Sequence, residues 1–137
     1  MNSEILRRTA KTYVIDGDGD FLTIRRSQHI KHRPGTWDFA GGKAEQHETP
    51  EQTAFREGFE EIGICLHDLE LLTTIIKKQS ETNLFVARLE EVRPQITLSS
   101  EHDAKLWLPG QELLSLDMPE KYKTPVRDHL IGRQALA

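Results

Sequence analysis

Three carboxylates crowd into the stretch Arg56-Glu57-Gly58-Phe59-Glu60-Glu61-Ile62-Gly63. On a helix, Glu57, Glu60 and Glu61 fall within an arc of about 100°, with Glu57 and Glu61 one turn apart. Like charges at these spacings repel by a few tenths of a kcal/mol each, and they sit in the last turns, where the helix dipole favours cations. A bound Mg²⁺ or Mn²⁺ would reverse both penalties, because hard cations take carboxylate oxygens. The alternative is a solvated acidic face, whose exposed charges cost little. The helix alone does not decide between them.

The element that must position these carboxylates is well marked. Thr49 is placed as an N-cap, Pro50 at the first helical position, Gln52 completes a capping box, and Gly63 ends the helix after Ile62. Ala54, Phe55, Gly58, Phe59 and Ile62 share a separate arc of about 140°, the side expected to face the core. Just upstream, Trp37-Asp38-Phe39-Ala40-Gly41-Gly42-Lys43-Ala44-Glu45 is expected to deliver a tight Gly-Gly turn. Glycines there let backbone amides and carbonyls approach a ligand closely.

Read together, the run is Gly42, five residues, Glu48, seven residues, Arg56-Glu57, two residues, Glu60-Glu61, Ile62, Gly63-Ile64. It resembles the box of the Nudix hydrolases, G-x5-E-x7-R-E-U-x-E-E-x-G-U with U a bulky apolar residue, and it matches at every fixed polar and glycine position. The resemblance implies an α/β fold, a Nudix-type α/β/α sandwich with a mixed β-sheet. It also implies divalent-metal-dependent hydrolysis of a nucleoside diphosphate linked to another moiety.

By that similarity Glu57 and Glu61 are the principal metal ligands, and Glu60 is a further ligand or a base. The Gly41 carbonyl is another ligand. Arg56 and Glu48 pair to hold the loop against the helix, with Gly42 and Gly63 supporting the site. Glu101, in Ser99-Ser100-Glu101-His102-Asp103, resembles a loop Glu that completes the site or acts as base; a solvated loop Glu is the bland reading. The chemistry fits these residue types, since water attacking an anionic phosphorus needs charge neutralisation and a proton acceptor. Arg26, Arg33 and Lys43 are weaker candidates for gripping phosphate or base, against a solvated basic loop. Trp37 and Trp107 are read as core or pocket-edge residues.

Three departures from the family pattern stand out. Ala40 stands where Pro is frequent and His47 where Gly is frequent, which should change loop stiffness more than chemistry. Gly58 replaces the bulky apolar residue inside the box at about 1 kcal/mol of helix propensity relative to Ala. Its place in the apolar arc predicts that the helix backbone packs unusually close to the sheet there. Asp16-Gly17-Asp18-Gly19-Asp20 opens like a calcium loop, but Phe21 and Ser27 stand where that loop needs Gly and Glu, so it reads as a hairpin turn.

Around these motifs, Thr12 to Ile15 and Phe21 to Arg26 read as strands, Gln28 to Gly35 as a polar loop, and Thr36 to Ala40 as a short strand. Leu69 to Lys78 and Asn83 to Leu89 are expected to pair across a turn near Ser80-Glu81-Thr82. Lys105 to Leu108 is a strand, Pro109 starts a helical turn, and Lys121 to Gln134 reads as a final amphipathic helix. The 137 residues, 36% hydrophobic and 29% charged, suit one domain, residues 1–137.

Eighteen basic against 22 acidic residues give a net charge of −4. That balance argues against a nucleic-acid coat or a membrane-surface protein, and no stable nucleic-acid binding is expected. No apolar run suits a signal peptide or a membrane span, and the lone Cys65, expected to be buried, excludes an internal disulfide. A cytoplasmic location is therefore expected.

Substrate lies outside the box. Some family members that cleave ADP-ribose carry a Pro downstream of the box, and some that cleave dinucleoside polyphosphates carry a Tyr. Neither residue occurs between Cys65 and Arg93, which disfavours both substrates. A nucleoside triphosphate or its damaged form, losing pyrophosphate, is the favoured substrate. A nucleotide sugar or other NDP-X remains open, as does an inactive nucleotide-binding module, although a dead site has no reason to tolerate the glutamates' repulsion. The sequence leaves the oligomeric state open, a homodimer included.

Overall fold

The structure, a computed structural model, describes residues 6–131. Its organising strand is β1, Arg7–Ile15, which begins well before Thr12. Neighbours on both sides fix its length. It runs parallel to β6 (Ser80–Arg88) from Arg7↔Ser80 to Ile15↔Arg88. On its other side it is antiparallel to β4 (Ala40–Lys43), from Thr9↔Lys43 to Thr12↔Ala40, and then meets β2 (Phe21–Arg26) at Ile15↔Phe21. The small and charged residues Arg7 to Lys11 hide this strand from a reading of hydrophobic pattern, but their backbone is fully paired.

Strand β2 also carries β3 (Trp37–Asp38) and β7 (His102–Leu108), both antiparallel. Strand β5 (Glu70–Lys77) pairs antiparallel with β6 and forms an edge of the mixed seven-stranded sheet. The β5–β6 hairpin turns at Lys78-Gln79, not at Ser80-Glu81-Thr82, which lie inside β6.

Period-two alternation sends successive side chains to opposite faces of the sheet. Tyr13, Ile15, Leu84 and Val86 face one layer; Val14, Phe85 and Ala87 face the other. The first layer is closed by Leu113 of α2 (Gly110–Leu113), Tyr122 of α3 (Glu120–Pro125) and Val126 of the π-helical turn Val126–Leu130 that follows. The second is closed by Ile62 of α1 (Pro50–Ile62) with Leu66 and Ile96. Each fully buried Ile, Leu or Phe in these layers contributes about 1.5–3 kcal/mol relative to exposure. The result is the expected α/β/α sandwich.

Several local expectations need correcting. Gly41-Gly42 is not a tight turn but the middle of β4. The final helix is six residues of α-helix and then a π turn, because Pro125 has no N–H and the chain closes through Ile131 N–H to Val126 O at 3.0 Å. Residues 132–134 of that expected helix lie outside the described residues. Phe55 and Phe59 are exposed, and Glu61 is buried in their place. Cys65 is exposed as well. Among the described residues no helix is long and apolar enough to cross a membrane.

Candidate active site

Helix α1 starts and stops where its residues dictate. Thr49 Oγ1 accepts from Gln52 N–H at 3.1 Å, while Gln52 Oε1 accepts from Thr49 N–H at 2.9 Å. Gly63, in the left-handed region at φ 75°, caps the other end through its N–H to Phe59 O. Buried Ala54 and Ile62 seat the helix on the sheet, and this turns Glu57 and Glu61 toward β4.

The contact with β4 is backbone-close. The N–H of Gly41 donates to Glu61 Oε1 at 3.0 Å. Gly41 has φ 152°, and any Cβ there would collide with the Ala10 carbonyl of β1, so the strand passes only as glycine. At Gly42 a Cβ would lie 2.5 Å from Glu57 Oε2, so the missing side chain makes room for that carboxylate.

Burial raises the pKa of Glu61 to about 8, with Lys11 and the Gly41 N–H opposing and Glu57 adding to the rise. Glu57 is likewise raised, chiefly by burial and further by Glu60 and Glu101, with Arg56 opposing. Both carboxylates therefore stand short of positive charge.

Arg56 supplies some of it. Its Nε donates to Glu48 Oε2 at 2.6 Å and its Nη2 to Glu48 Oε1 at 3.1 Å, a two-pronged pair. These bonds pull the Glu48 carboxyl down to about 2 and raise the guanidinium. Nη2 also reaches Lys43 O, tying α1 to β4, while Nη1 lies 3.2 Å from both Glu57 Oε2 and Glu60 Oε1. Glu48 is fixed in turn by Glu45 N–H and the Thr53 hydroxyl.

These groups open onto a cleft of about 940 Å³. Glu57, Glu60, Glu61 and Glu101 line it together with Gly41 and Gly42, and so do Arg7, Lys11, Arg26 and Lys43. Of the weaker candidates, Arg26 and Lys43 thus reach the cleft. Arg33 does not, but lines a smaller adjoining cavity of about 290 Å³ with Trp37, Tyr122 and Lys121. Arg26 is also committed elsewhere, to His32 O at 2.7 Å and Asp38 Oδ2 at 3.4 Å. Trp107 packs against the core layer under α1.

Lys11 is the residue that sequence reasoning missed. It is buried, and its Nζ donates to Asp38 Oδ2 at 2.9 Å and Phe39 O at 3.3 Å. Burial disfavours its charge, but Asp38 and then Tyr122 and Glu61 outweigh this and hold it protonated. Its signal was a lysine inside the run Ala10-Lys11-Thr12-Tyr13, a strand interior where a cation needs a buried partner. His102, in β7 opposite Arg26, is also buried; among the described residues neither ring nitrogen meets a hydrogen-bond partner, and burial depresses its pKa.

The donor set suits a hard divalent cation: carboxylate oxygens and a strand carbonyl around a cleft, two of the carboxylates held at raised pKa. Among the described residues no group of three His, Cys, Asp or Glu side chains is pre-arranged to hold a metal ion. Arg56 Nη1 is shared between Glu57 and Glu60.

Residues 5–129 match the NUDIX domain family. The chain is 30% identical over 108 residues to Nudix hydrolase 3 of Caenorhabditis elegans, a match covering 73% of this chain and 45% of that protein. It is 52% identical over 44 residues to the 8-oxo-dGTP diphosphatase of Proteus vulgaris, covering 32% of this chain and 39% of that one. Each match thus covers less than half the length of the relative. The crystal structure of a MutT protein from Methanosarcina mazei superposes with a TM-score of 0.75 at 22% identity, over 98% of this chain and 99% of that one. The match over residues 5–129, on a fold with the family's architecture, means that the chain belongs to the Nudix family.

Proposed function

We propose that this protein is a divalent-metal-dependent hydrolase of a nucleoside diphosphate linked to another moiety. Its preferred substrate is a nucleoside triphosphate or a damaged form of one, cleaved with release of pyrophosphate. The observation that carries the reading is the cleft itself, where four glutamates and a set of cations line one cavity across the Gly41-Gly42 strand. An anionic phosphate chain with its counter-cation fits such a lining, and neither alone does.

Glu57 and Glu61 would hold Mg²⁺ or Mn²⁺, with Glu60 and the Gly41 carbonyl as further ligands. When bound, the ion neutralises phosphate charge and polarises the phosphorus–oxygen bonds. Arg56 and Glu48 fix the base of the loop, so that β4 and α1 keep their separation as charge changes. Arg26 and Lys43 hold phosphate oxygens, and the buried Lys11 sets a positive potential beneath Glu61. A carboxylate, with Glu101 the candidate from β7's leading loop, accepts the proton of the attacking water. The water oxygen bonds to phosphorus, the anhydride P–O bond breaks, and pyrophosphate leaves with the bond's electron pair. The smaller cavity with Trp37 and Tyr122 adjoins the cleft through Lys11, Arg26 and His32, and the nucleobase would enter there.

The relative that acts on 8-oxo-dGTP supports the damaged-nucleotide part of this reading. The test is phosphate or pyrophosphate release from a panel of nucleotides, 8-oxo-dGTP and nucleotide sugars included, with Mg²⁺ or Mn²⁺. Turnover of triphosphates with pyrophosphate as product supports the proposal. Preferred turnover of nucleotide sugars would reassign the substrate, and nucleotide binding without any turnover would make the chain a binding module.

A further inference from the structure

Strand β5 pairs with β6 on one side only, so its outer side offers backbone N–H and C=O groups to a further strand. Its side chains are not those of an edge that repels partners. Leu71 is 51% exposed, and Ile76, at 67%, is the most exposed large apolar residue among those described.

The order of residues along this edge is self-complementary. Glu70-Leu71-Leu72-Thr73-Thr74-Ile75-Ile76-Lys77 reads acid, two apolar residues, two threonines, two apolar residues, base. A second copy laid antiparallel would set Glu70 against Lys77 at both ends. In a regular strand this would fail. Cross-strand partners share a face, whereas Glu70 and Lys77, an odd number of residues apart, would lie on opposite faces.

A bulge removes the obstacle. Leu71 stands opposite Phe85 and Thr73 opposite Leu84, which leaves Leu72 as an extra residue in β5. Leu72 packs in the layer that holds Leu84, so Leu72 and Thr73 share a face. Beyond the bulge Ile76 stands opposite Glu81, which lies on the same face of β6 as Phe85. Leu71 and Ile76 therefore both lie on the α1 face. Glu70, opposite Val86, and Lys77, opposite Ser80, lie on the other face with Leu72 and Ile75. The faces thus repeat in both directions, as the chemistry does.

We propose that β5 is a homodimer interface, where two copies of this chain pair antiparallel about a two-fold axis at Thr74. Thr74 meets the partner's Thr74 on the axis. Ile75 meets the bulged pair Leu72-Thr73, Ile76 meets Leu71, and Lys77 meets Glu70, each contact made twice by symmetry. Two observations favour a second copy over another occupant. The charges at the ends are of opposite sign, and among the described residues neither Glu70 nor Lys77, both exposed, makes an ion pair. The bulge also puts like chemistry on like faces only in this register. Pairing joins the two sheets into one and covers Leu71 and Ile76 together. A single strand pair is a small interface, so the dimer forms in a concentration-dependent way.

Sedimentation velocity over a concentration series at low salt tests this. The parent is compared with Glu70→Lys, Lys77→Glu, the double reversal Glu70→Lys/Lys77→Glu, and Ile76→Lys, all at exposed positions. The parent should pass from monomer to dimer as concentration rises. Each single reversal sets like charges against each other at both ends and should weaken the dimer about tenfold. The double reversal should restore the parent's dissociation constant, which damage to the fold could not do. Ile76→Lys, with the parent's Tm, should stay monomeric. A parent that is monomeric at every concentration overturns the proposal, and one that then floats with phosphatidylcholine–phosphatidylglycerol vesicles assigns Leu71 and Ile76 to a membrane instead. A dimer that the single reversals leave unchanged, or that the double reversal fails to restore, overturns it as well, because the interface then lies elsewhere.

Discussion

Replacing Gly58 with alanine is the most informative single change, because two opposed effects of similar size meet there. An ideal Cβ at Gly58 would lie 2.7 Å from Leu66 Cδ1 and 3.2 Å from Leu66 Cγ. Leu66 is only 1% exposed, packed in the layer under α1, so it has no solvent to swing into. Alanine gains about 1 kcal/mol of helix propensity, and forcing a methyl into a filled core costs about 1–3 kcal/mol. Gly58→Ala alone should therefore be neutral or destabilising by up to about 2 kcal/mol.

Leu66→Ala alone should cost about 2–5 kcal/mol. In that background the obstruction is gone, and Gly58→Ala should stabilise by about 1 kcal/mol or more. The coupling energy, about 2 kcal/mol, stands clear of the additivity error of about 0.5 kcal/mol for independent sites. Urea unfolding of the four proteins, read as midpoints at constant m, measures it. If Gly58→Ala stabilises the parent as much as it stabilises Leu66→Ala, close packing against Leu66 is not why glycine stands there.

Other consequences are open to measurement. Glu61 is raised to about 8 in the folded protein, so the folded state binds more protons than the unfolded one from the ordinary carboxylate range upward. Metal-free stability should then fall as pH rises through that window to about 8, and Glu61→Gln should flatten the dependence; an unchanged pH profile would refute the assignment. Adding Mg²⁺ should raise Tm in the parent and not in Glu57→Gln/Glu61→Gln, as followed by thermal melts. Arg56→Lys keeps the charge but loses the two-pronged bond to Glu48, and should destabilise by about 1–3 kcal/mol, measured by denaturant titration. His47 has φ 70°, so His47→Gly should relieve strain and stabilise by about 1 kcal/mol; a loss of stability would mean that its side chain holds the loop.

The motifs made the site legible because its parts are local in sequence. The capping box, Gly63 and the carboxylate spacing all lie between Thr49 and Gly63, and each carries its own stereochemical requirement. The layering was expected from the family resemblance, and β6, buried on both faces, serves both layers. What sequence could not give is pairing between distant strands. Lys11 finds Asp38 only because β1 and β4 lie side by side, and the length of β1 is set by partners up to Arg88. The helix wheel placed Phe55 and Phe59 inward because it scores hydrophobicity alone. Glu61 displaces them because the Gly41 N–H and Lys11 compensate its burial. Likewise the close approach at Gly58 was expected at the sheet, and is made instead by Leu66 in the segment after the helix.

The hydrogen bond from Gly41 N–H to Glu61 Oε1 has one more consequence. It joins a backbone amide, which any amide spectrum resolves, to the most strongly perturbed carboxylate of the cleft. The Gly41 amide is thus a built-in reporter. Its proton shift should move with the charge on Glu61, its exchange with solvent should slow as that charge becomes fixed, and both can be followed without substrate.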